Sequence, residues 1–167
     1  VKATLYLADA LGMPGVMVWD LPWIDDDRGW VQLLGAPEMG GPLVIGEVYA
    51  SNVYRDYVKA WHLHKRMTLR YVCVSGAVDL GLYDSRFARA DGTGFKSGKI
   101  RLRSQGEWYR AVTIPPGIWN GFRLPVTLTD DHATIVNCPD LVHDPSEIIR
   151  VPPNTFPFDW GPYKGGG

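Results

Sequence analysis

Nineteen glycines and thirteen prolines are spread along this 167-residue chain, and they constrain its folding more than any other feature. Proline removes a backbone donor and glycine raises the entropic cost of a helix, so long helices do not survive such punctuation. Between the breaks lie short apolar or alternating runs, at 16–19, 30–34, 43–49, 58–64, 69–74, 77–83, 99–103, 110–114, 120–124 and 133–137. Roughly ten short strands at this spacing predict an all-β sandwich or barrel. Short helices fit only at 1–11 and 86–90. Ser75-Gly76 reads as a tight hairpin turn and Asp91-Gly92-Thr93-Gly94 as an exposed loop.

Composition narrows the class further. With 46% apolar residues, the chain can bury a core as a single domain, assigned to residues 1–164, with Gly165-Gly166-Gly167 as a flexible tail. Seventeen basic residues against eighteen acidic ones leave a formal charge of -1. A nucleic-acid binder needs an excess of Lys and Arg, so nucleic acid is not an expected partner. Cys73 and Cys138 make no disulfide framework, and a reducing compartment follows. No apolar run approaches the roughly 20 residues of a membrane span, and 1–11 lacks a signal-peptide layout, so a soluble cytoplasmic protein is expected.

Strand parity locates the chemistry. In Val58-Lys59-Ala60-Trp61-His62-Leu63-His64 a regular strand projects His62 and His64 to one face together with Val58 and Ala60, and Trp61 to the other. Downstream, Pro115-Pro116-Gly117-Ile118-Trp119-Asn120 forms a turn that leads into a strand.

The His-x-His strand and the Pro-Gly turn together resemble the two signature segments of the cupin superfamily, which implies a double-stranded β-helix, or jelly-roll barrel, with extra N-terminal strands and short peripheral helices. Metal-binding cupins add a Glu, where Thr68 or Leu69 stands here, and a third His, where Asn120 stands. Two imidazoles and an amide make a poor ligand set, so neither a metal nor any other cofactor is expected, and a metal-dependent cupin enzyme is the weakest of three readings.

The chain more closely resembles the dTDP-4-dehydrorhamnose 3,5-epimerase family, from about Trp19 to Trp160. The resemblance rests on Asp26-Asp27-Arg28-Gly29-Trp30, Ala50-Ser51-Asn52, the 58–62 strand, Ser75-Gly76-Ala77-Val78-Asp79-Leu80 with Asp84-Ser85-Arg86, Ile114-Pro115-Pro116-Gly117-Ile118-Trp119-Asn120-Gly121-Phe122, and Asn137-Cys138-Pro139-Asp140 with His143-Asp144-Pro145-Ser146-Glu147. It implies an isomerase of a nucleotide-linked 4-keto-6-deoxysugar, usually a homodimer. His62 would remove the proton beside the ketone, and Arg28, Asn52, Lys59 and His64 would contact the substrate, with Asn120, in place of the histidine, offering a neutral donor and acceptor to a sugar hydroxyl or carbonyl in the cavity and Trp119 covering its mouth. Lys65 or Arg66 would take the part of a family lysine whose aligned position is Leu69.

Two departures stand out. Val136 aligns with the family's tyrosine acid, and no counterpart is evident for the aspartate that orients its histidine. Tyr71 is the candidate replacement acid. Asp140, Asp144 and Glu147 read as loop-ordering carboxylates. A 3,4-ketoisomerase, suggested by His62-Leu63-His64-Lys65, remains open within the same class, and a sugar-binding protein without turnover is the alternative from outside it.

Overall fold

The computed structural model of the chain describes residues 2–39 and 44–166. Its strands are β1 (Thr4–Leu7), β2 (Met17–Asp20), β3 (Trp23–Asp26), β4 (Gly29–Gln32), β5 (Tyr49–Tyr54), β6 (Tyr57–His64), β7 (Leu69–Ser75), β8 (Ala77–Asp84), β9 (Lys96–Arg103), β10 (Arg110–Ile114), β11 (Ile118–Arg123), β12 (His132–Asn137), β13 (Ile148–Arg150) and β14 (Gly165–Gly166). One sheet runs β1-β2-β10-β7-β12-β5 and the other β13-β6-β11-β8-β9, while β3 and β4 form a separate hairpin. The pairs are antiparallel except that β14 lies parallel to β6. This is the cupin jelly roll.

Alternation explains the sandwich. Leu69, Tyr71 and Cys73 of β7, Val112 and Ile114 of β10, and Ala133 and Ile135 of β12 point inward, where they meet Leu80 and Leu82 of β8 and Phe122 of β11. The outer faces are covered as well. Trp19, Tyr109 and Met39 pack over Val72, and Trp160 with the half-buried Phe156 and Phe158 packs over Trp61 and Tyr83. Double coverage makes the central strands apolar on both faces. Gly76, at φ +72°, makes the β7–β8 hairpin turn, and a Cβ on Gly81 would overlap Trp160.

Several expectations are corrected. The segment expected as the first helix holds β1 and a short 3₁₀ turn at Ala10–Gly12, because Leu5 and Trp19 pair as strand neighbours. Residues 86–90 form an irregular loop in which Arg86 closes back on Asp84. No α-helix occurs among the described residues, and no helix there is long and apolar enough to cross a membrane. The 43–49 run is not a strand at 44–48, and β5 begins only at Tyr49; Leu43 lies outside the described residues. Gly165 and Gly166, expected in a flexible tail, pair with Tyr57 and Val58.

Candidate active site

The site begins with an irregularity. On β6 and β11, Asn120 pairs with His62 but Phe122 pairs with Lys59, so three residues of β6 span what two span on β11. This is a β-bulge, and it reverses the facing of everything before it. His62 and His64 face the barrel interior as parity predicts. Val58 and Ala60 do not accompany them; they turn outward to pack with Trp61, and Lys59 turns inward instead.

The interior cavity, about 300 Å³, is lined by His62, His64 and Lys59 of β6, Tyr49 and Ser51 of β5, and Tyr71, Phe122, Ile135, Ile148 and Arg150 from the neighbouring strands. Arg150 arrives because β13 pairs with β6, opposite His62. Lys59 Nζ donates to Ser51 Oγ at 2.6 Å, and burial lowers its pKa. Burial, ahead of the positive Arg150 and the neighbouring His64 and Lys59, lowers the His62 imidazole from its ordinary 6.5 to about 4. His62 is therefore a neutral imidazole at pH 7, beside two cations.

His64 is held differently. Its Nδ1 is bonded to Glu147 Oε1 in a buried pair, while Glu147 Oε2 accepts from the backbone N–H groups of Arg66 at 3.1 Å and Met67 at 3.4 Å. Burial pushes the Glu147 carboxyl up, but the His64 bond and these N–H donors outweigh it, and its pKa is lowered overall. Glu147 orders the loop as expected, along with Asp140, which accepts from Thr68 N, and Asp144, which accepts from Ser146 N. It also fixes one ring nitrogen of His64, which the sequence did not foretell.

The remaining expected residues separate. Tyr71 lies on the cavity floor, where its hydroxyl donates to Asn120 Oδ1 at 3.1 Å. Asn120 is buried and does not line the cavity; its Nδ2 donates to the His62 carbonyl at 3.1 Å, so it braces Tyr71 against β6. Asn52 points away from the interior, since Tyr49, Ser51 and Val53 take the inward positions of β5, and its Oδ1 accepts from Thr134. Trp119 also faces outward and packs on Phe156, with ring centroids 5.2 Å apart. Lys65 lies beyond the end of β6, where its Nζ donates to Ser146 O. Arg28 is on the exposed β3–β4 hairpin, paired with Asp26, and is not among the residues that line this cavity. Ile135, not Val136, faces the interior on β12.

Tyr49, Ser51 and Arg150 are the polar cavity residues that the sequence reading missed. The inward parity of β5 would have given the first two, had its start been placed correctly. Arg150 carries no local signal. Among the described residues no three His, Cys, Asp or Glu side chains come together in a cluster suited to a metal ion.

A larger groove of about 520 Å³ lies outside the barrel between Arg55, Arg123 and Lys164. Its charges are engaged: Lys164 pairs with Asp56, Arg55 with Asp131, and Arg123 donates to main-chain carbonyls of Leu124, Trp160 and Pro162. The smaller cavity, with its neutral imidazole, is the better chemical site.

No family model matches the chain. A curated relative, the probable low-salt glycan biosynthesis epimerase Agl13 of Haloferax volcanii, is 28% identical over 98 residues, which is 58% of this chain and 58% of that protein's length. A dTDP sugar isomerase from Desulfovibrio desulfuricans G20 superposes with a TM-score of 0.75 at 29% identity, covering 87% of this chain and 90% of the other. NovW, a 4-keto-6-deoxy sugar epimerase from the novobiocin gene cluster of Streptomyces spheroides, superposes at 0.78 with 22% identity, covering 99% and 83%. With the jelly roll, the His-x-His strand inside it and these likenesses together, the chain has the fold of dTDP-4-dehydrorhamnose 3,5-epimerase-like proteins and resembles them as a divergent relative.

Proposed function

We propose that the protein is an isomerase of a nucleotide-linked 4-keto-6-deoxysugar, with His62 as the base that removes a proton from a carbon next to the ketone. The observation that carries this reading is the neutral His62 imidazole inside a cavity that also holds the cations Lys59 and Arg150. A C–H beside a ketone is a weak acid, so its removal needs an unprotonated base and positive charge or donors near the developing enolate. A nucleotide diphosphate needs cations as well. Once a diphosphate neutralises Arg150 and Lys59, the repulsion they exert on protonated His62 weakens, and the imidazole becomes more basic with substrate bound than without it.

The test is to incubate the protein with dTDP-4-keto-6-deoxyglucose in deuterated water and follow the C3 and C5 proton signals by NMR. An isomerase of this kind replaces one or both with deuterium. Binding without exchange would favour a nucleotide-sugar-binding protein, a reading to which the apolar Ile135 lends some support.

Arg150→Ala is expected to weaken dTDP binding by about 10- to 100-fold, the worth of one charge-assisted contact, and to flatten its salt dependence; titration calorimetry at two ionic strengths measures both. Arg150 is exposed and makes no side-chain ion pair among the described residues, so the fold should tolerate the change. A homodimer belongs to the same proposal, supported by the β1 sheet edge, on which Leu5, Tyr6 and Leu7 lie open.

A further inference from the structure

Epimerisation needs an acid on the face of the sugar opposite the base, and two tyrosines line the cavity with His62. Hydrogen-bond direction distinguishes them. The Asn120 amide has its orientation set by the His62 carbonyl, which can only accept, so Nδ2 points there and Oδ1 is left for Tyr71. An amide oxygen can only accept, so Tyr71 must commit its hydroxyl proton to the hydrogen bond it donates to Asn120.

The second tyrosine has the opposite arrangement. Asn137 is 0% exposed, and its Oδ1 accepts from the backbone N–H of Arg70 at 3.0 Å. That fixes Nδ2 toward Tyr49, to whose hydroxyl oxygen it donates at 2.9 Å. The Tyr49 oxygen is thus an acceptor in this bond, and among the described residues its own proton is left uncommitted. The ring lies at the cavity edge, 40% exposed, where water can replace a proton given up. β5 and β12 hold the pair in register, with Tyr49 directly opposite Asn137.

Resting on the isomerase reading above, we propose that Tyr49 is the catalytic acid and Asn137 its positioning residue. His62 takes the proton from the carbon beside the ketone, and the C–H electron pair moves into the enolate, placing negative charge on the ketone oxygen. The enolate carbon then takes the Tyr49 hydroxyl proton on the opposite face as the ketone re-forms. Tyr49 is left as a phenolate near Arg150, and it recovers a proton from water while His62 releases its own. The site therefore does not need a tyrosine on β12, where Ile135 stands.

The test compares wild type, Tyr49→Phe, Tyr71→Phe and Asn137→Asp in deuterated water with dTDP-4-keto-6-deoxyglucose, measuring deuterium entry and stereochemical inversion separately. Without its acid the enolate is reprotonated by His62 on the original face. Tyr49→Phe is therefore expected to keep exchange while inversion per exchange falls by about 10²-fold or more. Tyr71→Phe should keep the wild-type ratio of inversion to exchange. Asn137→Asp keeps Tyr49 but supplies a carboxylate that captures its proton, and it should lower the ratio as Tyr49→Phe does. A wild type that inverts together with a Tyr49→Phe variant that inverts in the same proportion overturns the assignment of Tyr49 alone. A wild type that exchanges nothing overturns the isomerase reading and the acid with it.

Discussion

His62→Asn is expected to slow deuterium exchange beside the ketone by about 10²- to 10⁴-fold while leaving dTDP binding within a few-fold, because a positioned general base contributes on that order to proton abstraction and makes no ion pair with a nucleotide. The NMR exchange assay and calorimetric titration read the two effects independently. Full exchange by the variant would transfer the role of base to another group, and His64, held by Glu147, would be the next to test.

The same substitution has a signature in stability. The His62 imidazole is lowered from 6.5 to about 4 in the folded chain, so between those values the unfolded chain binds a proton that the folded chain does not. Stability contributed by this group is fully present above about pH 6.5 and is lost as pH falls toward 4. Urea unfolding at a series of pH values should show the wild type weakening through this window, and His62→Asn should weaken less steeply.

Trp61→Ala carries the largest expected structural effect. Trp61 is 0% exposed on the outer face of β6, and its Nε1 donates to Pro153 O at 3.0 Å. Its ring centroid lies 4.9 Å from those of Phe158 and Trp160 and 5.6 Å from that of Phe156. Deleting a large buried aromatic costs about 3–5 kcal/mol, from lost burial and from the cavity left behind. In a domain of this size that corresponds to a Tm lower by on the order of 10 °C, measurable by calorimetry. The C-terminal segment at 151–160 covers the strand that carries His62 and His64, so the loss should loosen the site as well as the fold. Trp61→Phe, which retains part of the packing, should lie between the two.

Much of the fold was legible because its signals are local. Alternation in β7, β8, β10 and β12, and the turns at Gly76 and Pro116-Gly117, depend on neighbours in sequence, and the strands formed close to where those patterns place them. The 1–11 segment was misread because its apolar side chains serve a pairing with β2 that only the fold supplies. Helix and strand are hard to separate in so short a run.

The site was legible in part. His62 and His64 face the cavity because no irregularity falls between them, so strand parity holds over that stretch. It fails before His62, where the bulge turns Lys59 inward and Ala60 outward. A bulge is a property of two paired strands, and β11 lies far from β6 in sequence. Asn52 was lost to the outer face for a similar reason, since the facing of β5 is set by its register against β12.

The amino-acid sequence by itself determined a turn-punctuated β sandwich and a pair of inward histidines, because both follow from the period of the strand. Tertiary structure alone decided what surrounds those histidines. It brought Arg150 beside His62, Glu147 beneath His64 and Asn137 against Tyr49 through pairings between distant segments, and it set which tyrosine commits its hydroxyl proton to a hydrogen bond by fixing the direction of two buried amides. Hydrogen-bond direction depends on every partner being in place at once, and no stretch of neighbouring residues carries that information.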